Sequence, residues 1–263
     1  MRLSFPLLLV AIGSSACVCN AALVDINFNG GTEFAANFRD TSTLPFTGHT
    51  TQGNGYVSAD HTQTVAGNHY QDTVIYDTTP ANASQQSLFS GDVTIFLDVR
   101  AAQAGSSIGF FIINPSETGG QQLFFFNWDT AGGPNELFRL TTDTNLTEPS
   151  INTTVYNQQA DAGLTAGSGL FTTISLRYWE GAPGEAFMNF TAGSFNSGDV
   201  SLGAGTYLPT FEIGIRAYDG VDGSGAGEIG GVDYDNFRVI PEPGATILLA
   251  VSALGLLRRR VRA

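Results

Sequence analysis

Lysine is absent from this chain of 263 residues, so its eleven basic residues are all arginine. Four of them, Arg258, Arg259, Arg260 and Arg262, crowd the last six residues, and Arg2 stands at the start. The stretch 22–240 keeps six Arg against 23 acidic residues, a balance of −17 within a chain total of −13. A phosphate backbone is repelled by such a surface, which excludes nucleic acid as a partner. The same surface suits solubility and attracts divalent cations. Cysteine is nearly absent: Cys17 and Cys19 are the two in the chain. Once the first 21 residues are removed, disulfides, thiolate metal sites and a Cys nucleophile are excluded together. The body also lacks any convincing 3.6-residue hydrophobic period, which speaks against a helical fold. Disorder is excluded by what is plentiful, with 42% hydrophobic and 11% aromatic residues to fill a core. Glycine, at 32 residues, signals many turns.

The two ends read as targeting segments. Residues 3–19 are mostly apolar after Arg2, and Ala21 or Ala22 precedes a plausible cut. This pattern predicts a secretory signal helix over 1–21. At the other end, Pro241-Glu242-Pro243 leads into 244–257, fourteen residues without charge, and then into the Arg cluster. Fourteen helical residues rise about 21 Å, short of a ~30 Å hydrocarbon core, and flanking arginines extend the reach by snorkelling. The expectation is a single transmembrane helix at 244–257 with the arginines on the cytoplasmic side and the body outside.

Pro241-Glu242-Pro243, the short apolar helix and Arg258, Arg259, Arg260 and Arg262 together resemble the PEP-CTERM sorting signal of bacterial exported proteins. The resemblance implies processing by an exosortase, a membrane enzyme of the inner membrane. It implies a Gram-negative host with an extracellular polysaccharide matrix, and delivery to the cell surface or that matrix. It says nothing of what the body does. The division that follows is 1–21 signal peptide, 22–240 globular domain and 241–263 sorting segment.

The domain reads as all-β. Val93, Ile95, Leu97 and Val99 alternate with polar residues apart from Phe96, as on a strand with one buried face. Ile174, Leu176 and Tyr178 repeat the pattern, as do Phe211, Ile213 and Ile215. Residues 107–114 and 122–128 are apolar more continuously, as strands covered on both faces would be. Further strands are expected at 23–28, 72–76, 136–142, 151–156, 185–191 and 231–240. Some ten to twelve strands fit one two-sheet antiparallel sandwich. The polar stretch 48–71 is expected to be the longest loop.

The run from Leu23 to Gly30 resembles the first strand of laminin-G or concanavalin-A-like jelly rolls, and Val232 to Val239 their closing strand. The resemblance implies that these two strands lie side by side, and that 91–114 forms a central hairpin. The fold hosts lectins, hydrolases and structural modules alike, so it does not choose among them.

Motifs that carry chemistry are scarce. The Gly105–Gly109 match to G-x-S-x-G has strands on both sides, where a nucleophile elbow needs a following helix. The G-x-G-x-x-G match at 225–230 also runs into a strand. His49, His61 and His69, with Asp60 and Asp72, fit no zinc spacing and read as a polar loop. Asp219, Asp222 and Glu228 flank a Gly-rich loop that can offer carboxylates and carbonyls to Ca²⁺; Asp-Gly turns account for the same residues without metal. Phe124, Phe126 and Trp128 share one strand face and read as core. Trp179 and Tyr218 oppose the buried residues of their strands and are the aromatics to stack on a sugar ring. Two carboxylates across a cleft are what glycoside hydrolysis requires, and the E-x-D-x-x-E of the laminarinase-type sandwich enzymes does not occur. The expectation is an exported, non-catalytic β-sandwich with a structural or adhesive role and a possible extracellular polysaccharide partner. A lectin-like module and, third, a polysaccharide hydrolase or lyase are the alternatives.

Overall fold

The computed structural model describes residues 24–40, 50–53, 55–62, 71–78, 88–101, 106–115, 123–129, 136–143, 152–162, 168–219 and 229–242. The expected signal helix, the expected transmembrane helix and the arginine cluster lie outside these residues. Among the described residues no helix is long and apolar enough to cross a membrane.

In chain order the elements are β1 (Val24–Ile26), α1 (Glu33–Asn37), β2 (Phe38–Asp40), β3 (Thr50–Gly53), β4 (Tyr56–Thr62), β5 (Gln71–Tyr76), β6 (Phe89–Ser90), β7 (Val93–Ala101), β8 (Ser106–Ile113), β9 (Leu123–Asp129), β10 (Glu136–Asp143), β11 (Asn152–Ala160), β12 (Thr172–Glu180), β13 (Glu185–Ala192), β14 (Phe195–Asn196), β15 (Val200–Ala204), β16 (Thr210–Asp219) and β17 (Ile229–Pro241). One sheet runs β14-β13-β12-β7-β17-β4-β3, with β1 also on β17 and β15 also on β13. The other runs β11-β10-β9-β8-β16-β5-β2, with β6 also on β16. Among the described residues the two make nine- and eight-stranded antiparallel sheets that pack face to face.

Alternation puts one set of side chains from each sheet into a single core. Val93, Ile95, Leu97 and Val99 of β7 and Ile174, Leu176 and Tyr178 of β12 come from the nine-stranded sheet. Ile108, Phe110 and Ile112 of β8 and Phe211, Ile213 and Ile215 of β16 meet them from the eight-stranded sheet. Aromatic contacts tie the layers together: Phe138 of β10 stacks on Phe195 of β14 with centroids 3.7 Å apart, and Tyr178 meets Phe211 edge-on at 5.0 Å. The Tyr178 hydroxyl accepts the Leu208 N–H at 2.7 Å, satisfying both polar groups inside the core. Phe124, Phe126 and Trp128 pair with Ile112, Phe110 and Ile108, the register positions of the core face.

The two ends of the domain meet as the resemblance implied, with Val24 opposite Val239 and Ile26 opposite Phe237. The register of β17 on β7 shifts between Asp235 and Arg238, where Asn236 adopts φ 51°. A bulge that needs a left-handed residue favours asparagine over bulkier types. Its side chain is used as well: Asn236 Nδ2 donates to Asp98 Oδ2 at 2.8 Å across the ladder. That accounts for Asn236 in the closing strand.

Two expectations are corrected. The stretch 48–71 contains β3 and β4, which form one edge of the nine-stranded sheet. Edge strands need one buried face and polar residues on the other, so a Thr- and Ser-rich segment in which Val57 is buried pairs well. The segment 91–114 is not a hairpin: β7 and β8 belong to different sheets. The short helix α1 had no visible signal, because five residues cannot display a helical period.

Candidate functional site

The outer face of the nine-stranded sheet carries a ladder of aromatic rings and guanidinium groups. On β12, Trp179 follows the buried Tyr178 and points away from the core, half-buried. Phe187 lies directly opposite on β13, and the two rings stack at 5.7 Å and 28°. The Arg177 guanidinium, two residues back on the same face, sits 4.5 Å from the Trp179 centroid. Phe187 itself lies over Gly181, where a Cβ would stand 2.4 Å from its ring. These contacts fix the indole in one orientation. Further along the face, Arg238 sits 5.1 Å from the Phe96 ring, and Arg100 is held between Tyr56 at 4.8 Å and Phe171 at 4.6 Å. Asp233 accepts from Arg100 Nε at 2.9 Å and Nη2 at 2.5 Å. Between these groups Asp98 and Asp235 occupy opposed register positions. Asp98 accepts from Thr173 Oγ1 at 2.5 Å. Burial raises the Asp235 carboxyl above its ordinary range, the Asn236 N–H partly offsets this, and the Asp98 charge adds to it.

The outer face of the eight-stranded sheet is different in kind. Ile75, Phe111 and Ile113 form a second apolar cluster there, each buried to 2% or less. This is the two-sided burial read from 107–114. Beside it Glu212 and Asp77, 1% and 0% exposed, share the guanidinium of Arg39. Arg39 Nη2 donates to Glu212 Oε1 at 2.9 Å, and its Nε stands 3.8 Å from Asp77 Oδ2. Burial pushes the Glu212 carboxyl up; Arg39 opposes that, and the neighbouring Asp77 charge reinforces it. A carboxyl raised above its unfolded value of 4.5 binds more protons in the native state. Its stabilising contribution is full below that value and is lost as pH rises through the folded one. Urea titrations across this range should therefore show a falling component of stability in the wild type that Glu212→Gln lacks; parallel profiles would refute the raised carboxyl.

The residues singled out from sequence do not converge. Trp179 is on the nine-stranded sheet, whereas Tyr218, opposite Gln71 and Ser107, is on the eight-stranded one. Asp219 ends β16, while Asp222 and Glu228 lie outside the described residues. Among the described residues no group of three potential ligands assembles for a metal. Ser106 and Ser107 begin strand β8, so no nucleophile elbow forms. His61 and Asp60 lie on β4 and Asp72 on β5, in different sheets; His49 and His69 are outside the described residues. Of the sorting motif, Pro241 ends β17 and Glu242 is described, while Pro243 and the arginines are outside. Sequence reasoning missed Arg177 and Phe187 beside Trp179, and the Arg39–Asp77–Glu212 cluster. Alternation along β16 did place Glu212 off the core face, but nothing local announces that this position is buried.

No protein-family model matches the chain, and no curated protein does. Solved structures do. The chain is similar to a glycoside hydrolase family 16 endo-glucanase from Bacteroides ovatus at 11% identity and a TM-score of 0.58, over 82% of this chain and 99% of that one. It is similar to an endo-beta-1,3-glucanase from Pyrococcus furiosus at 9% identity and a TM-score of 0.57, over 82% and 92%. An alginate lyase in complex with alginate trisaccharide matches at 11% identity and 0.56, over 84% and 99%. At such identities the likeness shows the fold, and the body of this protein is the two-sheet β-sandwich that these proteins share.

Proposed function

We propose that the chain is an exported β-sandwich that attaches to extracellular polysaccharide without cleaving it, in a structural or adhesive role. Its C-terminal segment acts as the sorting signal read by an exosortase at the inner membrane. The observation that carries the binding reading is the Trp179–Phe187 pair under Arg177. Rings locked by their neighbours lose little freedom when a ligand lies against them. The neighbours in fold include two glucanases and an alginate lyase, and this makes polysaccharide the partner class to test first. The charge of the body excludes no sugar, and a bound Ca²⁺ at Asp219, Asp222 and Glu228 would relieve part of its self-repulsion.

Burial removes one pair of carboxylates from consideration as a hydrolytic acid and base. Glu212 and Asp77 are enclosed and share one guanidinium, whereas glycosidic cleavage needs an acid and a base facing the substrate. Hydrolase or lyase activity remains the second reading, favoured by the fold of the three neighbours. Affinity electrophoresis of the full chain in gels containing laminarin or alginate tests both. Retardation by one of them is expected, weakened about tenfold by Trp179→Ala, the effect of losing a central aromatic anchor. Release of reducing ends or of unsaturated uronate would replace binding with catalysis, and no retardation on any glycan would end the reading.

A further inference from the structure

The last described residues do more than end a strand. Pro241 pairs with Val93 at the end of the β17–β7 ladder. One residue further, the Glu242 N–H donates to the Asp92 carbonyl at 2.8 Å. Its carboxylate accepts from Thr94 Oγ1 at 2.6 Å and stands 3.9 Å from Arg177 Nε. The central residue of the Pro241-Glu242-Pro243 motif is thus built into the sheet, on the face that carries Trp179.

Chain length makes this contact conditional. Only Pro243 separates Glu242 from the uncharged run 244–257. One residue spans at most about 3.6 Å. A bilayer adds roughly 5–7 Å of headgroup region on each side of its hydrocarbon core. As a helix the run would rise about 21 Å, short of the core, and would have no residue to lend as a spacer. A tail inserted in the membrane would press the end of the sandwich into the headgroups while Glu242 stays docked.

We propose that Thr94, Arg177 and the Asp92 carbonyl form a latch on Glu242 that is closed when the tail is free of the membrane and open when 244–257 is inserted. The inference rests on the sorting reading above. The two peptide units of Pro241 and Glu242 supply the missing spacer by peeling from β7. Peeling also bares the motif to a membrane-embedded partner, and release of the tail lets the carboxylate dock again.

The test uses the full chain in phosphatidylcholine vesicles, beside a variant with eight Gly/Ser residues inserted between Pro243 and Gly244. Flotation first establishes that both chains are membrane-bound. Hydrogen exchange at the Glu242 amide is then compared, with Val239 in the same strand as reference. The wild type should exchange at least about tenfold faster at Glu242 than the spacer variant, which has slack enough to stay latched. Adding Thr94→Val to the spacer variant should return its rate toward the wild type. Equal rates in wild type and spacer variant would overturn the latch, and failure of the wild type to float would refute the membrane reading beneath it.

Discussion

Arg39→Met should cost the folded chain about 3 kcal/mol, the scale of a buried pair stripped of one partner. Arg39 is the cation at 2.9 Å from Glu212 and 3.8 Å from Asp77, and both acids are shut off from water. Methionine keeps much of the stem and removes the charge, so packing changes little. Two carboxylates then face each other in a medium that solvates neither. The chain can respond by holding a proton on Glu212, whose carboxyl already sits above its ordinary range. The loss should therefore be largest near pH 7 and shrink toward pH 5. Glu212→Gln in the Arg39→Met background should recover most of it, because it removes one of the two facing charges. Urea denaturation of the wild type and the two variants decides the matter. A change under about 0.5 kcal/mol in Arg39→Met would mean that the cluster is solvated.

Gly214→Ala should cost about 2 kcal/mol, although alanine is normally the better strand residue. A Cβ at Gly214 would stand 2.1 Å from Cζ of Phe111 and 2.5 Å from both of its Cε atoms. Phe111 pairs with Gly214 across β8 and β16, and its ring lies flat over the glycine backbone toward Ile75 and Ile113. The ring is fully buried, so it can move only by displacing that cluster. Phe111→Leu takes away the atoms that clash, and the double variant should be more stable than the sum of the two single changes requires. Additivity of the two losses would show that the ring does not occupy the glycine's space. Thermal melting of the four chains provides the comparison.

Much of the sandwich was legible without coordinates. A strand with one face in the core must alternate, and β7, β12 and β16 do so over the residues first read. A strand buried on both faces must be apolar throughout, and residues 108–113 of β8 are all buried. Cysteine placement and charge are properties of composition, and the expectations drawn from them need no fold. The tertiary structure alone decided what depends on which strand lies next to which. β3 and β4 became strands because a neighbouring ladder accepts any backbone, so their polar side chains carried no warning. β7 and β8 went to different sheets because the sequence between two strands does not specify whether they pair with each other. Trp179 and Tyr218 look equivalent along the chain, yet they sit on different sheets for the same reason. Glu212 reads as an ordinary surface acid until Arg39, 173 residues away, is seen against it. Alternation tells which side of a strand a residue takes; only the packed molecule determines whether that side meets water, a charge or another ring.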